Sequence, residues 1–122
     1  MNPAEFRISK TSVIAALGYP VLFLVLYSTL VAHLRLGIGR WPLHISDNPT
    51  TGLFHVHSVA AGLLFGFGIV LVPISAILAA ILAFVPAARR SAASLAIFTL
   101  GCLIAFAVMH LAPNSFMTWW WD

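Results

Sequence analysis

The stretch FHVHSVAAGLLFGFGIVLVPISAILAAILAFV, residues 54–85, decides the fold of this chain. It contains no Asp, Glu, Lys or Arg, so no charge opposes its burial in hydrocarbon. As one helix it would measure about 47 Å, whereas the apolar core of a bilayer is about 30 Å thick. The segment must therefore tilt, bend or protrude. Pro73 lies near its middle and removes one helical hydrogen bond, so a kink is predicted there.

Two further apolar segments flank this one, at residues 11–34 and 91–112, and each is long enough to cross the core. The first follows basic residues, as a signal peptide would. It exceeds the roughly 7–15 residues of a signal core, which favours an uncleaved anchor. The sequence thus predicts a single all-α domain, an integral membrane three-helix bundle with a kinked second helix. Residues 35–53 form its outer loop, and residues 113–122 form an interfacial tail.

Composition agrees with this class, because 61% of the 122 residues are hydrophobic and 7% are charged, against about 25% charged in soluble domains. The net charge of +3 does not indicate nucleic-acid binding, since the basic residues are scattered at segment ends. Four of them share the N-terminal side of the predicted bundle and two share the other: Arg7, Lys10, Arg89 and Arg90 against Arg35 and Arg40. The positive-inside rule then predicts a cytoplasmic N-terminus and an outside C-terminus in a bacterial inner membrane.

Four histidines fall at one end of the predicted spans, namely His33, His55, His57 and His110, with His44 in the loop between. Histidines at a membrane boundary are uncommon, and imidazole is a frequent ligand for zinc, copper and iron. The four are therefore candidate ligands for a haem, a chlorophyll-type pigment or a metal. The alternatives are that each ring forms hydrogen bonds with a carbonyl group or with water at the membrane surface, or that the histidines form polar contacts with a partner.

Helix geometry restricts which of these histidines act together. His55 and His57 are two residues apart, so their side chains diverge by about 200° around a helix axis. They cannot bind one ion together if that stretch is helical. A shared site would instead join His33 or His110 to whichever of the two turns toward the bundle axis, while the other faces the headgroups or the loop.

Small residues recur at a spacing of four, as Gly62 and Gly66 in the second segment and as Gly101 and Ala105 in the third. Such pairs allow helix backbones to approach closely where no water drives the helices together. Three alanines add a further smooth face to the second segment: Ala76, Ala80 and Ala83. These residues pack either within the bundle or against another chain, and the sequence leaves both options open.

Tryptophans cluster at the same end as the histidines, with Trp41 in the loop and Trp119, Trp120 and Trp121 in the tail. Tryptophan is enriched at membrane–water interfaces because its ring is apolar and its N–H is polar. The four tryptophans are therefore predicted to be interfacial anchors.

Catalytic motifs do not occur in this sequence. No Asp or Glu lies in a predicted span, and neither a nucleophile elbow, nor a zinc-protease motif, nor a glycine-rich phosphate loop is present. An enzyme acting alone is not expected, and three helices are few for a transporter. We expect a non-catalytic accessory or assembly subunit of a larger membrane complex, in contact with lipid and with other subunits or copies of itself. The alternative is a membrane protein whose histidines bind a haem, pigment or metal.

Overall fold

The computed structural model describes residues 7–122, and this part of the chain forms four α-helices. They are α1 (Lys10–Ile38), α2 (Gly52–Ala83), α3 (Arg89–Met109) and α4 (Asn114–Trp121), with a 3₁₀ turn, Pro86–Ala88, between α2 and α3. The described residues contain no strand. The prediction of an all-α three-helix bundle is confirmed, because α1, α2 and α3 pack against one another.

The first three helices are long and apolar enough to cross a membrane. They contain 29, 32 and 21 residues, which corresponds to about 43, 48 and 31 Å of helix. The helix α2 is continuous through Pro73, so the proline does not interrupt it, and a bend at that point stays a prediction. A proline that sequence reasoning did not single out, Pro20, lies inside α1 and is buried.

Local hydrogen bonds set the ends of the first two helices. The hydroxyl of Ser9 accepts from the Ser12 N–H at 3.1 Å, and that of Thr51 accepts from the Phe54 N–H at 3.3 Å. Each bond satisfies a donor of the first turn that has no partner within the helix. The helix α1 ends at Gly39, whose φ of 71° lies in the left-handed region that favours glycine.

Aromatic side chains fill the space between the helices. The buried ring of Phe23 lies 6.0 Å from that of Phe65 and 5.6 Å, edge on, from that of Phe106, measured between centroids. The Tyr27 hydroxyl donates to the Met109 carbonyl at 3.2 Å, which joins α1 to the last turn of α3. These contacts bury large side chains of all three helices in one core.

Within the helix bundle, two glycines mark places where neighbouring helices approach closely. A Cβ at Gly101 would lie 3.0 Å from Pro20 Cγ and 3.2 Å from Leu17 Cδ2, so α3 meets α1 closely at this point. A Cβ at Gly68 would lie 2.7 Å from Phe106 Cζ. Ala105, one turn after Gly101, is also buried. Sequence reasoning named the pair on α3 but missed Gly68.

The other predicted pair, Gly62 and Gly66, does not pack within the described bundle. Both residues are exposed, and no atom of another element in residues 7–122 lies within 4 Å of a Cβ built on either of them. Contact of this pair with another chain stays a prediction.

A buried polar contact joins the middle of α2 to α3. The hydroxyls of Ser75 and Thr99 lie 2.7 Å apart, and each is also within hydrogen-bond distance of a carbonyl of its own helix. One hydroxyl donates to the other, since each carries a single proton. This bond between helices in an apolar bundle was not predicted from the sequence.

We expect the substitution Gly101→Leu to destabilise the isolated protein by about 1–3 kcal/mol, because the larger side chain would overlap Pro20 and Leu17. The measurement is the thermal unfolding of the purified protein in detergent. Gly62→Leu is the matched control, since it adds the same side chain into open space. Equal losses of stability in the two variants would contradict the packing described above.

Candidate functional site

Two of the four candidate histidines meet between α1 and α2. The Nδ1 atoms of His33 and His57 lie 3.1 Å apart, and the ring centroids are separated by 5.4 Å. The ring of His33 also makes an edge contact with Phe54, with 5.2 Å between centroids. Both histidines are partly buried, so this pair is a polar contact inside an apolar interface.

The hydrogen bonds around His57 assign the protons of the neutral pair. Its Nε2 lies 2.9 Å from the backbone carbonyl oxygen of Leu26, which only accepts, so Nε2 carries the hydrogen. The Nδ1 of His57 therefore has a lone pair, and His33 Nδ1–H donates to it. The hydroxyl of Thr29, 3.1 Å from the same Nε2, is a second neighbour of that nitrogen and bonds to the Val25 carbonyl at 2.7 Å.

The remaining histidines lie elsewhere. His55 is exposed and lines a cavity of about 450 Å³ between α2 and the C-terminal residues, together with Ser58 and Gly62. His110 follows α3, is exposed, and stacks on Trp121 with 6.4 Å between centroids. His44 lies exposed in the loop. Within residues 7–122, no three His, Cys, Asp or Glu side chains come together in a way that could hold a metal ion.

The predicted interfacial tail forms the helix α4, which folds back onto the bundle. Phe116 is fully buried and makes an edge contact with Tyr27 at 5.4 Å, and Trp120 makes another at 5.2 Å. The indole N–H of Trp119 donates to Asn48 Oδ1 at 2.9 Å, so α4 also holds the loop. The sequence contains a sign of this helix. Phe116, Trp119 and Trp120 are spaced so that, in a helix, all three side chains lie on one face.

The tryptophans thus contact other residues of the chain. Trp41 lies under the Arg35 guanidinium, with 5.6 Å from Cζ to the ring centroid, and Trp121 remains about half exposed. Their predicted role as anchors in the membrane interface stays a prediction.

Asp47 organises the loop beside this site. One of its carboxylate oxygens, Oδ2, accepts from Arg40 at 3.0 Å and from the backbone N–H groups of Leu43 at 2.8 Å and His44 at 3.1 Å. The Arg40 bond first, and then the two backbone bonds, lower the pKa of Asp47 from 3.8 to about 2. These hydrogen bonds stabilise the carboxylate form of Asp47 and hold the loop before α2 in a turn.

Comparison with known proteins adds no relative to this description. No family model, no curated protein sequence and no solved structure matches the chain. The polar chemistry of the bundle at this end is a pair of facing imidazoles that share a hydrogen bond.

We expect the loop to lose its order only in strong acid. The lowered pKa of Asp47 means that the folded loop favours the carboxylate, so its stabilisation is complete above the ordinary pKa of 3.8 and is lost as the pH falls through about 2. Hydrogen exchange of the Leu43 and His44 amides measures this. In Asp47→Ala the two amides should exchange at the rate of unprotected amides at every pH. Loss of protection in the unchanged protein already at pH values above the ordinary pKa would contradict the assignment.

Proposed function

We propose that this protein is a non-catalytic accessory or assembly subunit of a larger membrane complex, and that it docks through one face of α2. The observation that carries the proposal is the open space around Gly62 and Gly66. Glycines at this spacing are used for close helix contacts in membranes, and the chain's own helices do not make one here.

The two glycines belong to a longer surface that we call the small-residue face. At 100° per residue, its members fall within an arc of about 100° on α2, and all of them are exposed: Gly62, Gly66, Pro73, Ala76, Ala80 and Ala83. Ile69 is the large exposed side chain within this arc. From first to last member the face is about 32 Å long, which is close to the thickness of the hydrocarbon core.

The composition of this face favours a protein helix over lipid as its neighbour. Lipid tails and leucine side chains are equally apolar, so helices associate in membranes where small residues let their backbones approach. The rest of α2 exposes large apolar side chains that suit lipid, among them Leu63, Phe67 and Leu78. We infer that the partner is a membrane-spanning helix of another subunit, and a second copy of this chain is the alternative occupant.

A non-catalytic role fits the polar groups that the bundle carries. In residues 7–122 the acidic side chains are Asp47 and Asp122, and both lie outside the three long helices. Asp47 is engaged by Arg40. The bundle can thus contribute helices and hydrogen bonds to a complex. Its three long helices contain no carboxylate that could carry protons or activate water.

We further propose that the N-terminus is cytoplasmic and that the chain resides in a bacterial inner membrane. Arg7 and Arg90 line the same cavity at one end of the bundle, whereas Arg35 and Arg40 belong to the histidine end. This supports a division of the basic residues between two membrane faces, with the larger number on the side of the N-terminus.

A second candidate function is cofactor binding, and the contact between His33 and His57 favours it. Metal-binding histidines commonly donate their other ring N–H to a backbone carbonyl, as His57 does to Leu26. The nitrogens are 3.1 Å apart, so a haem or a chlorophyll-type pigment does not fit between the two rings and would need another ligand atom. A metal ion is smaller than these cofactors, so the short distance between the two nitrogens excludes it less.

The docking proposal predicts that Gly66→Leu and Ala80→Leu release the protein from its complex while leaving the isolated chain folded, since both residues are exposed. The measurement is native electrophoresis of the tagged protein extracted from its own membranes. Gly18→Leu is the matched control, because Gly18 lies on α1 with nothing within 4 Å of its Cβ position.

Migration of the unchanged protein at the size of a single 13.2 kDa chain in detergent would contradict the proposal. So would complexes that survive both substitutions. Assemblies that contain only this chain would assign the face to self-association and overturn the accessory role.

The orientation predicts that a reporter joined after Asp122 lies outside the cytoplasm. A reporter that is active only in the periplasm should give signal there, and one that is active only in the cytoplasm should be silent. Signal from the cytoplasmic reporter would overturn the orientation, because three spans place the two termini on opposite sides.

A further inference from the structure

We propose that His33 and His57 form a two-coordinate binding site for a soft monovalent metal ion of the copper(I) class. The inference rests on the second candidate function, that of histidine-mediated cofactor binding, and it names the ion. The carrying observation is that the Nδ1 atoms of two rings from different helices face each other at 3.1 Å.

The surroundings of His57 hold its ring in a metal-binding orientation. The hydrogen on Nε2 points at the Leu26 carbonyl at 2.9 Å, so the lone pair of Nδ1 is directed at His33. This pattern of one ring nitrogen bound to a carbonyl and the other free for a metal is the usual arrangement of histidine ligands.

His33 completes the site by a change of tautomer. Its hydrogen moves from Nδ1 to Nε2, and both Nδ1 lone pairs then point at the space between the rings. Two nitrogen–metal bonds form, one hydrogen bond is lost, and no proton or electron leaves the pair. The ion enters and remains in the monovalent state.

The distance between the nitrogens requires a small adjustment. Bonds from imidazole to a metal measure about 2 Å, so an ion on the line between two nitrogens needs them about 4 Å apart. The observed 3.1 Å must therefore widen by about 1 Å. His33 is only partly buried, and rotation of its side chain supplies this movement without separating the helices.

The number and kind of ligands select the ion. Zinc in structural sites takes four ligands, and magnesium takes six oxygens, whereas residues 7–122 bring no third His, Cys, Asp or Glu to this pair. Copper(I) is stable with two nitrogen ligands in a line. A single positive charge also costs less to desolvate than a double one, because the Born energy rises with the square of the charge.

Soft ions also bind sulfur, and residues 7–122 contain three sulfur groups, in Cys102, Met109 and Met117. Cys102 is buried on α3, and Met117 Sδ lies 3.1 Å from the Tyr27 hydroxyl. The experiment must therefore separate binding at the histidines from binding at the thiol.

The test is titration of the full-length protein in detergent with silver(I), a redox-stable probe of the same class, and with copper(I) under anaerobic conditions against a chromophoric competitor. We expect one ion per chain in Cys102→Ser, and also when His55→Ala or His110→Ala is added to Cys102→Ser. Saturable binding should be lost when His57→Ala is added to Cys102→Ser, or when His33→Ala is added, which leaves the bond between His57 and Leu26 in place.

Nitrogen-15 spectra give a second measurement that does not depend on a variant. In the unchanged protein, addition of silver(I) should shift the Nδ1 resonances of His33 and His57, while the resonances of His55 and His110 stay in place. Circular dichroism checks that each variant is folded.

Absence of saturable binding in folded Cys102→Ser would overturn the proposal, as would full retention when His33→Ala is added to Cys102→Ser. The pair would then be a hydrogen bond that ties α1 to α2. If silver(I) fails but the purified protein carries a haem or pigment absorption band that His33→Ala removes, the cofactor function stands and the identity of the ion is wrong.

Discussion

The close approach of α1 and α3 at Gly101 is the contact on which the rest of the bundle depends. In lipid no hydrophobic force draws apolar helices together, so their association relies on close packing and on hydrogen bonds between helices. Because Gly101 has no side chain, Pro20 and Leu17 can lie close to its backbone, and Gly68 leaves space for the ring of Phe106 in the same way. With the backbones at these distances, the Tyr27 hydroxyl reaches the Met109 carbonyl and Thr99 reaches Ser75. The polar side chains of the helices thus form bonds that wider spacing would prevent.

The same packing shapes the end that carries the histidines. α2 lies against α1 so that His57 reaches both the Leu26 carbonyl and His33, while α4 covers the aromatic cluster and fastens the loop through Trp119 and Asn48. This end therefore combines polar contacts between helices with a cluster of packed aromatic rings. The facing imidazoles form a hydrogen bond between α1 and α2, and the proposed ion site depends on the ring orientation that the Leu26 carbonyl fixes at His57.

The helix α2 has two kinds of surface, and this difference underlies the functional proposal. Its buried residues are few, namely Phe54, Ala61, Gly68 and Ser75, and the large apolar side chains on its outside suit lipid. The bundle's own core does not cover the small-residue face. The proposed docking helix of another chain would contact this face along the thickness of the apolar core.

The sequence by itself determined the number of long helices, their approximate ends and the placement of four histidines at one end. The length and apolarity of each segment, and the alternating direction of three successive spans, follow from the order of the residues alone. It did not determine which side of each helix faces inward. A membrane helix is apolar all around, so its pattern does not distinguish core from lipid. Only the tertiary structure decided that His57 rather than His55 meets His33, that Gly101 packs while Gly62 stays open, and that α4 returns to the bundle. Each of these depends on the rotation of one helix about its axis, which contacts between residues distant in sequence decide.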